Sequence, residues 1–442
     1  MPVFSKSIFE HDYLIGDNFL EQEDNRVHSI PAADFKWLME LSCRIPEGTP
    51  KFLELTMRHK QHALQVKNYV GVLRTPSGFQ LEILPKTGRS DNSPNIVGTR
   101  KMLLTMLRCL GPFRHLQTHN AALNAAQMPL LEVFIRQFLD SVNYLIKRGL
   151  RSNYIRRQEN LSFQKGKLLM SQQLKHNLVL QHRFYVEFDE YLVDRPENRL
   201  IHSALKKVIG DSRSNTNQKL GQEFRFVFDS VPCSVDVKQD FQQVRLERGM
   251  QYYETPLAWA RLILDGLSPL TSHGKNHSMS LLFPMEKVFE AYVAKNIRKH
   301  LGVEYSLIEQ ASSYSLVRHN GHDWFKLKPD LLIKSGNKNI CVLDTKWKLL
   351  DSNKKDSKEK YGLSQADFYQ LFAYGQKYLN GEGTLVLIYP QTREFPSAIT
   401  NSFDFNNRLK LWVVPFPIPM NAALQNQPLP VEMPEYLRAL WC

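Results

Sequence analysis

What this 442-residue chain lacks narrows its function first. No Gly-x-x-x-x-Gly-Lys-Ser/Thr occurs in it, so it carries no P-loop nucleotide-hydrolysing site of its own. Its five cysteines, Cys43, Cys109, Cys233, Cys341 and Cys442, are dispersed and odd in number, with no Cys-x-x-Cys. Neither a disulfide framework nor a zinc ribbon is supported. The 14 histidines form no ligand cluster, and His319 and His322, flanking a turn at Asn320-Gly321, are read as solvated. There is no run of 18 uncharged apolar residues and no basic-then-apolar signal pattern at the N-terminus, so a cytoplasmic protein is expected. Low-complexity tracts and internal repeats are missing as well. Acidic residues are in deficit, 44 against 57 Lys and Arg, and the resulting charge of +13 points to a polyanionic partner. The length allows two or three domains, each with a core.

What is present is concentrated towards the C-terminus. Pro329-Asp330 opens one apolar run, and Asp344-Thr345-Lys346 closes the next. Leu331 to Lys334 reads as a strand, residues 335–339 as a turn, and Ile340 to Trp347 as a second strand. Pairing Lys334 with Ile340 sets Asp330 opposite Asp344, roughly 4.5–5.5 Å apart at Cβ, where like charges repel. A divalent cation between them turns that repulsion into a binding site. Lys346 lies on the same face as Asp344, two residues further along. Two acids and a lysine so arranged are the PD-(D/E)xK pattern of metal-dependent phosphodiester cleavage. Asp-x-Lys alone is equally compatible with a surface hairpin ending in a salt bridge. The apolar run Ile340-Cys341-Val342-Leu343 favours the catalytic reading, because it predicts a central strand, where a carboxylate is costly unless paired or metal-bound.

Two helices add candidates. Ser364 to Leu379 predicts a helix with Asp367, Gln370 and Tyr374 on one face. Gln370-Leu371-Phe372-Ala373-Tyr374 fits the Gln-x-x-x-Tyr element that follows the lysine in RecB-like nucleases. There Gln370 orients the lysine or a water and Tyr374 supports it; the structural alternative is an amphipathic helix packing Leu371, Phe372 and Tyr378. Met285 to His300 predicts a second helix with Phe289, Val293 and Ile297 as its apolar stripe. Glu286 and Glu290 fall within or beside that stripe. Glu290 is taken as the metal or water ligand, while Glu286 remains open to pairing with Lys287 or an arginine.

The texture of the chain divides it into 1–98, a β-rich region with a hairpin from Tyr69 to Leu84; 99–270, mainly helical; and 271–442, the nuclease region, ending in a Pro-rich tail expected along the surface. The fold class is mixed α/β, with a restriction-endonuclease-like domain at the C-terminus. The middle region holds the densest basic tract. Lys147 to Arg183 contains nine Lys or Arg, including Arg151, Arg156, Arg157, Lys165 and Lys167, against the single acid Glu159, with Tyr154 and Phe163 interleaved. Phosphate-backbone contact is the functional reading, and a solvated face or an acidic protein partner the alternative. Lys354 and Lys355, beyond the catalytic strand, are candidates to flank the same DNA.

These residues together resemble the McrC family, the nuclease subunits of McrBC-type restriction systems. Gly71-Val72-Leu73 with Leu81-Glu82-Ile83-Leu84-Pro85-Lys86, Gly149-Leu150-Arg151 with Gln164-Lys165-Gly166-Lys167, Phe188-Asp189-Glu190-Tyr191, and Asn198-Arg199-Leu200 carry the resemblance through the first two regions. Phe289-Glu290, Pro329-Asp330, Asp344-Thr345-Lys346 and Asp367 to Tyr374 then follow in order. Lys165 stands where the resemblance leads one to expect Arg, which keeps the charge but not bidentate phosphate binding. The resemblance implies a separate AAA+ GTPase, a McrB-like hexameric ring that recognises modified double-stranded DNA and translocates. This chain would dock on it through roughly residues 1–270, stimulate hydrolysis and cut, with a second copy of the complex as a further partner for breaking both strands. The expected cofactor is Mg²⁺, held by Asp330, Asp344 and the Thr345 carbonyl, with Glu290 completing the shell. A stand-alone RecB-like nuclease and a non-cutting adaptor that only activates the NTPase stay open.

Overall fold

The computed structural model describes residues 5–17, 24–44, 51–58, 61–89, 95–110, 128–265, 280–356, 358–419 and 434–438. Most of the Pro-rich tail lies outside these residues, as does the Tyr154 side chain. The chain forms two compact units, one made of residues 1–127 with 268–442 and the other of 128–267. This grouping differs from the three regions read from the sequence, because the β-rich region and the nuclease region share a unit. The cause is a strand. Ser280–Pro284 pairs antiparallel with Tyr69–Arg74, completing a four-stranded sheet with Ser5–Phe9 and Gln80–Leu84, and then runs directly into the helix Met285–His300. Gly71 permits the pairing. At φ 132 it adopts a backbone few L-residues tolerate, and a Cβ there would collide with the Leu281 carbonyl oxygen.

The C-terminal region is built on a six-stranded sheet in the order Tyr305–Glu309, Leu331–Ser335, Lys338–Thr345, Gly383–Pro390, Leu409–Phe416, Phe403–Asp404. Each of the first three strands is antiparallel to its neighbour, and Lys338–Thr345, Gly383–Pro390 and Leu409–Phe416 are parallel. Consecutive residues of the parallel strands, Leu385 to Tyr389 and Leu411 to Val414, are all buried, so both sheet faces are covered, as parallel sheets require. One face packs the helix Gln365–Tyr378 through Leu371, Tyr374 and Tyr378 against Leu332, Val342, Leu385 and Leu387.

The N-terminal strands grip the end of the strand Lys338–Thr345. Trp347, one residue beyond Lys346, donates its indole N–H to Glu10 Oε2 at 2.9 Å, and the Lys86 backbone N–H donates to the same oxygen at 3.0 Å. The Lys86 ammonium returns to the Trp347 carbonyl at 2.8 Å, and the Phe289 ring lies 5.3 Å from the Trp347 ring.

The second unit departs from the mainly helical expectation at one place. Around the helices Leu130–Arg148, Pro196–Asp211, Asn215–Val227, Val237–Gln243 and Glu254–Asp265 it carries a three-stranded sheet: Asn153–Leu161, Phe184–Leu192 and Lys167–Leu168. The long helix ends as its sequence dictates, after Pro129 and before Gly149 at φ 88. Its apolar face, Leu131, Phe134, Ile135, Phe138, Val142 and Leu145, is buried. The buried Glu132 on it accepts hydrogen bonds from Ser212 Oγ, the Arg213 N–H and Asn217 Nδ2. The basic tract falls on the strands. A β-branched and aromatic strand partner, Phe184–Leu192, outweighs the weak helical spacing there.

Burial drives the Glu10 carboxyl up to about 7 from 4.5, against the opposing pull of Lys86. Between those pH values the folded protein holds a proton that the unfolded chain has released. Stability from this group is therefore full below about 4.5 and falls as pH rises through about 7. Glu10→Gln, which removes the titration, is expected to shrink the drop in melting temperature between pH 5 and pH 8, read by thermal denaturation of both proteins.

Candidate active site

The hairpin register creates the site. Leu331 pairs with Leu343 and Leu332 with Val342, which continues to Asp330 opposite Asp344, on the sheet face that carries the Gln365–Tyr378 helix. At the other end the register shifts between Ile333 and Lys334, so that Lys334 meets Asn339 rather than Ile340, and the turn tightens to Gly336-Asn337 with Gly336 at φ 58. The bulge absorbs one residue away from the acids and leaves their pairing intact. The strand Lys338–Thr345 lies between two others in the sheet interior, and Asp344 is 1% exposed.

Each acid has defined partners. Asp330 Oδ2 accepts the Thr345 N–H at 2.8 Å and the Thr345 hydroxyl at 2.7 Å, which fixes one face of that carboxylate. Lys346 Nζ sits 2.7 Å from Asp344 Oδ2, 3.1 Å from Gln370 Oε1 as its donor, and 3.8 Å from Asp367. Gln370 Nε2 donates to the Tyr374 hydroxyl at 2.7 Å, and that hydroxyl donates to the Lys328 carbonyl at 3.0 Å. Tyr374 therefore orients the Gln370 amide, whose oxygen then faces the lysine. On the neighbouring helix, Glu290 Oε1 accepts from Gln310 Nε2 at 2.5 Å, and the same amide lies 3.4 Å from Asp330 Oδ1. Glu286 is placed elsewhere and accepts from Asn68 at 3.2 Å.

Burial and the charge of Asp330 push the Asp344 carboxyl up to about 7, although Lys346 pulls the other way. Glu290 is likewise raised to about 7, by burial first and Asp330 second. Burial disfavours the Lys346 ammonium, but Asp344, Asp367 and Asp330 more than offset it, and its pKa is raised. Burial followed by the nearby Asp344 pushes Tyr374 up to about 12. The site thus concentrates negative charge it cannot hold comfortably without a cation. Among the described residues no three His, Cys, Asp or Glu side chains form a ready-made metal cage. Mg²⁺ does not need one, since it keeps several waters and takes one or two carboxylates. The all-oxygen donor set of Asp330, Asp344 and Glu290, in which burial and the charge of Asp330 raise the other two, fits such an ion.

The structure brings together Asp330, Asp344, Thr345, Lys346, Gln370, Tyr374 and, through Gln310, Glu290. Gln310, held at φ 50 with its N–H on the Asp330 carbonyl, carried no motif that sequence reading could have found. Asp367 was legible as a member of the Gln370 helix face, but its closeness to Lys346 was not. Lys354 and Lys355 lie in the loop after the strand Lys338–Thr345, Lys354 bonded to Glu359 at 3.2 Å. Arg151, Arg156, Arg157, Lys165 and Lys167 belong to the other unit. Their tract is less uniformly basic than it reads. Strand pairing sets Arg156 opposite Asp189 and 3.8 Å from Glu187, while Arg157 reaches Glu159 at 3.3 Å. Lys165 lies over the Phe188 ring, 3.9 Å from its centre. Phe163 is 58% exposed.

The model of the family described as McrBC 5-methylcytosine restriction system component matches residues 64–390. No curated protein matches. Among solved structures, the chain resembles one from a tetradecameric assembly of Thermococcus gammatolerans McrB AAA+ hexamers with bound McrC, at TM-score 0.66 and 19% identity, covering 95% of this chain and 96% of that one. A second match, in the T. gammatolerans McrBC complex, has TM-score 0.49 and 20% identity over 67% of this chain and 88% of that one. No helix of the described residues is long and apolar enough to cross a membrane.

Asp344→Asn removes a buried charge that is disfavoured above about pH 7. In EDTA at pH 8 it is expected to raise the melting temperature by on the order of 1–4 °C. Mg²⁺ or Ca²⁺ should raise the wild-type melting temperature but not that of the variant. Calorimetric scans with and without the ion check both.

Proposed function

The chain belongs to the McrBC 5-methylcytosine restriction system component family, and on that premise we propose that it is a DNA-cutting subunit, a metal-dependent endonuclease gated by a separate AAA+ GTPase ring. The observation that carries the reading is the convergence of Asp330, Asp344 and Lys346 at the end of a buried strand, with Gln370 bonded to the lysine. A structural salt bridge needs neither the second acid nor the Gln370–Tyr374 relay. The absence of a P-loop fits a chain whose motor is a different polypeptide. The McrB hexamers that accompany McrC in the similar assembly supply the precedent for such a motor.

In this reading Asp330 and Asp344 hold Mg²⁺, with the Thr345 carbonyl and Glu290 as further oxygen donors. When bound, the ion supplies a more acidic water and Lewis-acid stabilisation of the phosphate oxygens. The protein's own groups do the rest. Lys346, kept charged by three acids, faces the scissile phosphate and neutralises the negative charge that gathers there. Gln370 holds the ammonium in place, and Tyr374 holds Gln370. Thr345 pins Asp330 through its N–H and hydroxyl, so the second acid cannot swing away from Asp344. Glu290, joined to Asp330 through the Gln310 amide, serves the site as the ligand of the ion or of its water.

Plasmid cleavage by this chain together with its AAA+ partner, Mg²⁺ and nucleotide tests the proposal. Asp344→Ala is expected to lose cutting by at least ~100-fold and to keep complex formation. Lys346→Ala should retain Ca²⁺ binding by calorimetry and lose turnover. Gln370→Ala should lower kcat by on the order of 10-fold with KM unchanged. Normal cutting by Asp344→Ala would sink the assignment, and cutting by this chain alone would replace the gated subunit with a self-sufficient nuclease.

A further inference from the structure

One element of the nuclease region has no place in its core. Tyr314–His319 and His322–Leu327 form a two-stranded hairpin separate from the six-stranded sheet. Asn320 at φ 48 and Gly321 at φ 80 make its tip, as a two-residue turn with both positions left-handed requires. Strands of six residues reach about 20 Å at the usual rise of a β-strand. Isolated two-stranded hairpins are marginal in water and gain stability by burying a face. This one exposes both of its faces: Leu316 is 40% exposed, Val317 48%, Trp324 48% and Phe325 67%. Phe325 also sits at φ 57, a strained conformation for a bulky residue and of the kind that clusters at ligand clamps.

The register sorts its side chains. Val317 faces Trp324, His319 faces His322, and Ser315 faces Lys326, which places Trp324, Lys326 and both histidines on one face, the His319 ring edge-on to Trp324 at 5.4 Å. From 314 to 328 the charges are Arg318, Lys326 and Lys328 against Asp323 alone. The root is anchored to the catalytic helix. Tyr378 donates to the Leu327 carbonyl at 2.9 Å, Tyr374 to the Lys328 carbonyl at 3.0 Å, and the Tyr314 ring meets Tyr378 edge-on at 4.8 Å. Two residues beyond Lys328 lies Asp330. A phosphodiester held at Asp330 and Asp344 would therefore have this basic, aromatic ribbon beside it.

We propose that the 314–327 hairpin is a duplex-gripping element, which enters the major groove next to the scissile phosphate. The inference rests on the nuclease reading of the acid cluster. A major groove about 12 Å wide admits a two-stranded β-ribbon. Trp324, Phe325 and the tip histidines supply the contacts to bases and sugars, and Arg318 and Lys326 those to phosphate. A protein partner would be served as well by the apolar residues, but it would not call for the basic excess beside a phosphodiester-cutting site.

The test is binding of the full-length chain to a fluorescein-labelled 30-base-pair duplex in Ca²⁺, followed by anisotropy across a salt series. Trp324→Ala is expected to raise Kd about 10-fold. Arg318→Gln with Lys326→Gln should weaken binding and reduce the slope of log Kd against log salt by about 2, roughly 0.9 per phosphate contact. The paired substitution changes only exposed charges, so it keeps the test valid if Trp324→Ala lowers the melting temperature. Wild-type Kd and slope in the paired variant would overturn the proposal. So would unchanged DNA binding with lost stimulation of the NTPase, which would make the hairpin a protein-docking element. If Asp344→Ala abolishes cutting while the hairpin variants bind and cut normally, only this inference falls; if Asp344→Ala still cuts, the nuclease reading itself has failed.

Discussion

The site depends on one costly act, the burial of Asp344 beside Asp330. A carboxylate 1% exposed at the end of an apolar strand, facing a second acid, is a poor choice for stability alone. The surroundings treat it as a charge to be managed. Lys346 lies against it, Thr345 engages its neighbour Asp330, and Glu290 is pushed towards neutrality by burial and by Asp330. Each of these features follows from packing two acids where the sheet is driest. Each would be unnecessary if either acid were Leu or Asn.

Holding that arrangement requires rigidity at the strand end, and the N-terminal strands supply it. Trp347 is clasped by Glu10 and Lys86 on one side and touches Phe289 on the other. The ring therefore connects the residue after Lys346 to the helix that carries Glu290. Ser280–Pro284 adds a backbone link by joining the N-terminal sheet before that helix begins. The β-rich region is thus part of the scaffold that positions the acids, and this explains why it shares a compact unit with the C-terminal sheet although residues 128–267, a second compact unit, intervene.

The basic tract shows how a sequence window can overstate charge. Counted from Lys147 to Arg183 it has one acid, but strand pairing imports Glu187 and Asp189 from the next segment. Arg156 then meets both of these acids while Arg157 pairs with Glu159, and an exposed ion pair is worth little energy yet tempers the field a phosphate would feel.

The sequence by itself determined the elements that carry the candidate site. The helix Met285–His300 was legible to the residue from its apolar spacing, Gln365–Tyr378 to within one residue at each end, and the opposition of Asp330 to Asp344 from a period of two and a nearby turn. These are local properties, set within one hairpin or one helix face. Only the tertiary structure decided what approaches from far along the chain. Gln310 bridging Glu290 and Asp330, Glu10 under Trp347 and Asp189 opposite Arg156 all depend on contacts between segments whose separation no periodicity encodes. Side-chain periodicity fixes which way a residue points, whereas its neighbour is chosen by how whole sheets and helices pack to bury their apolar faces.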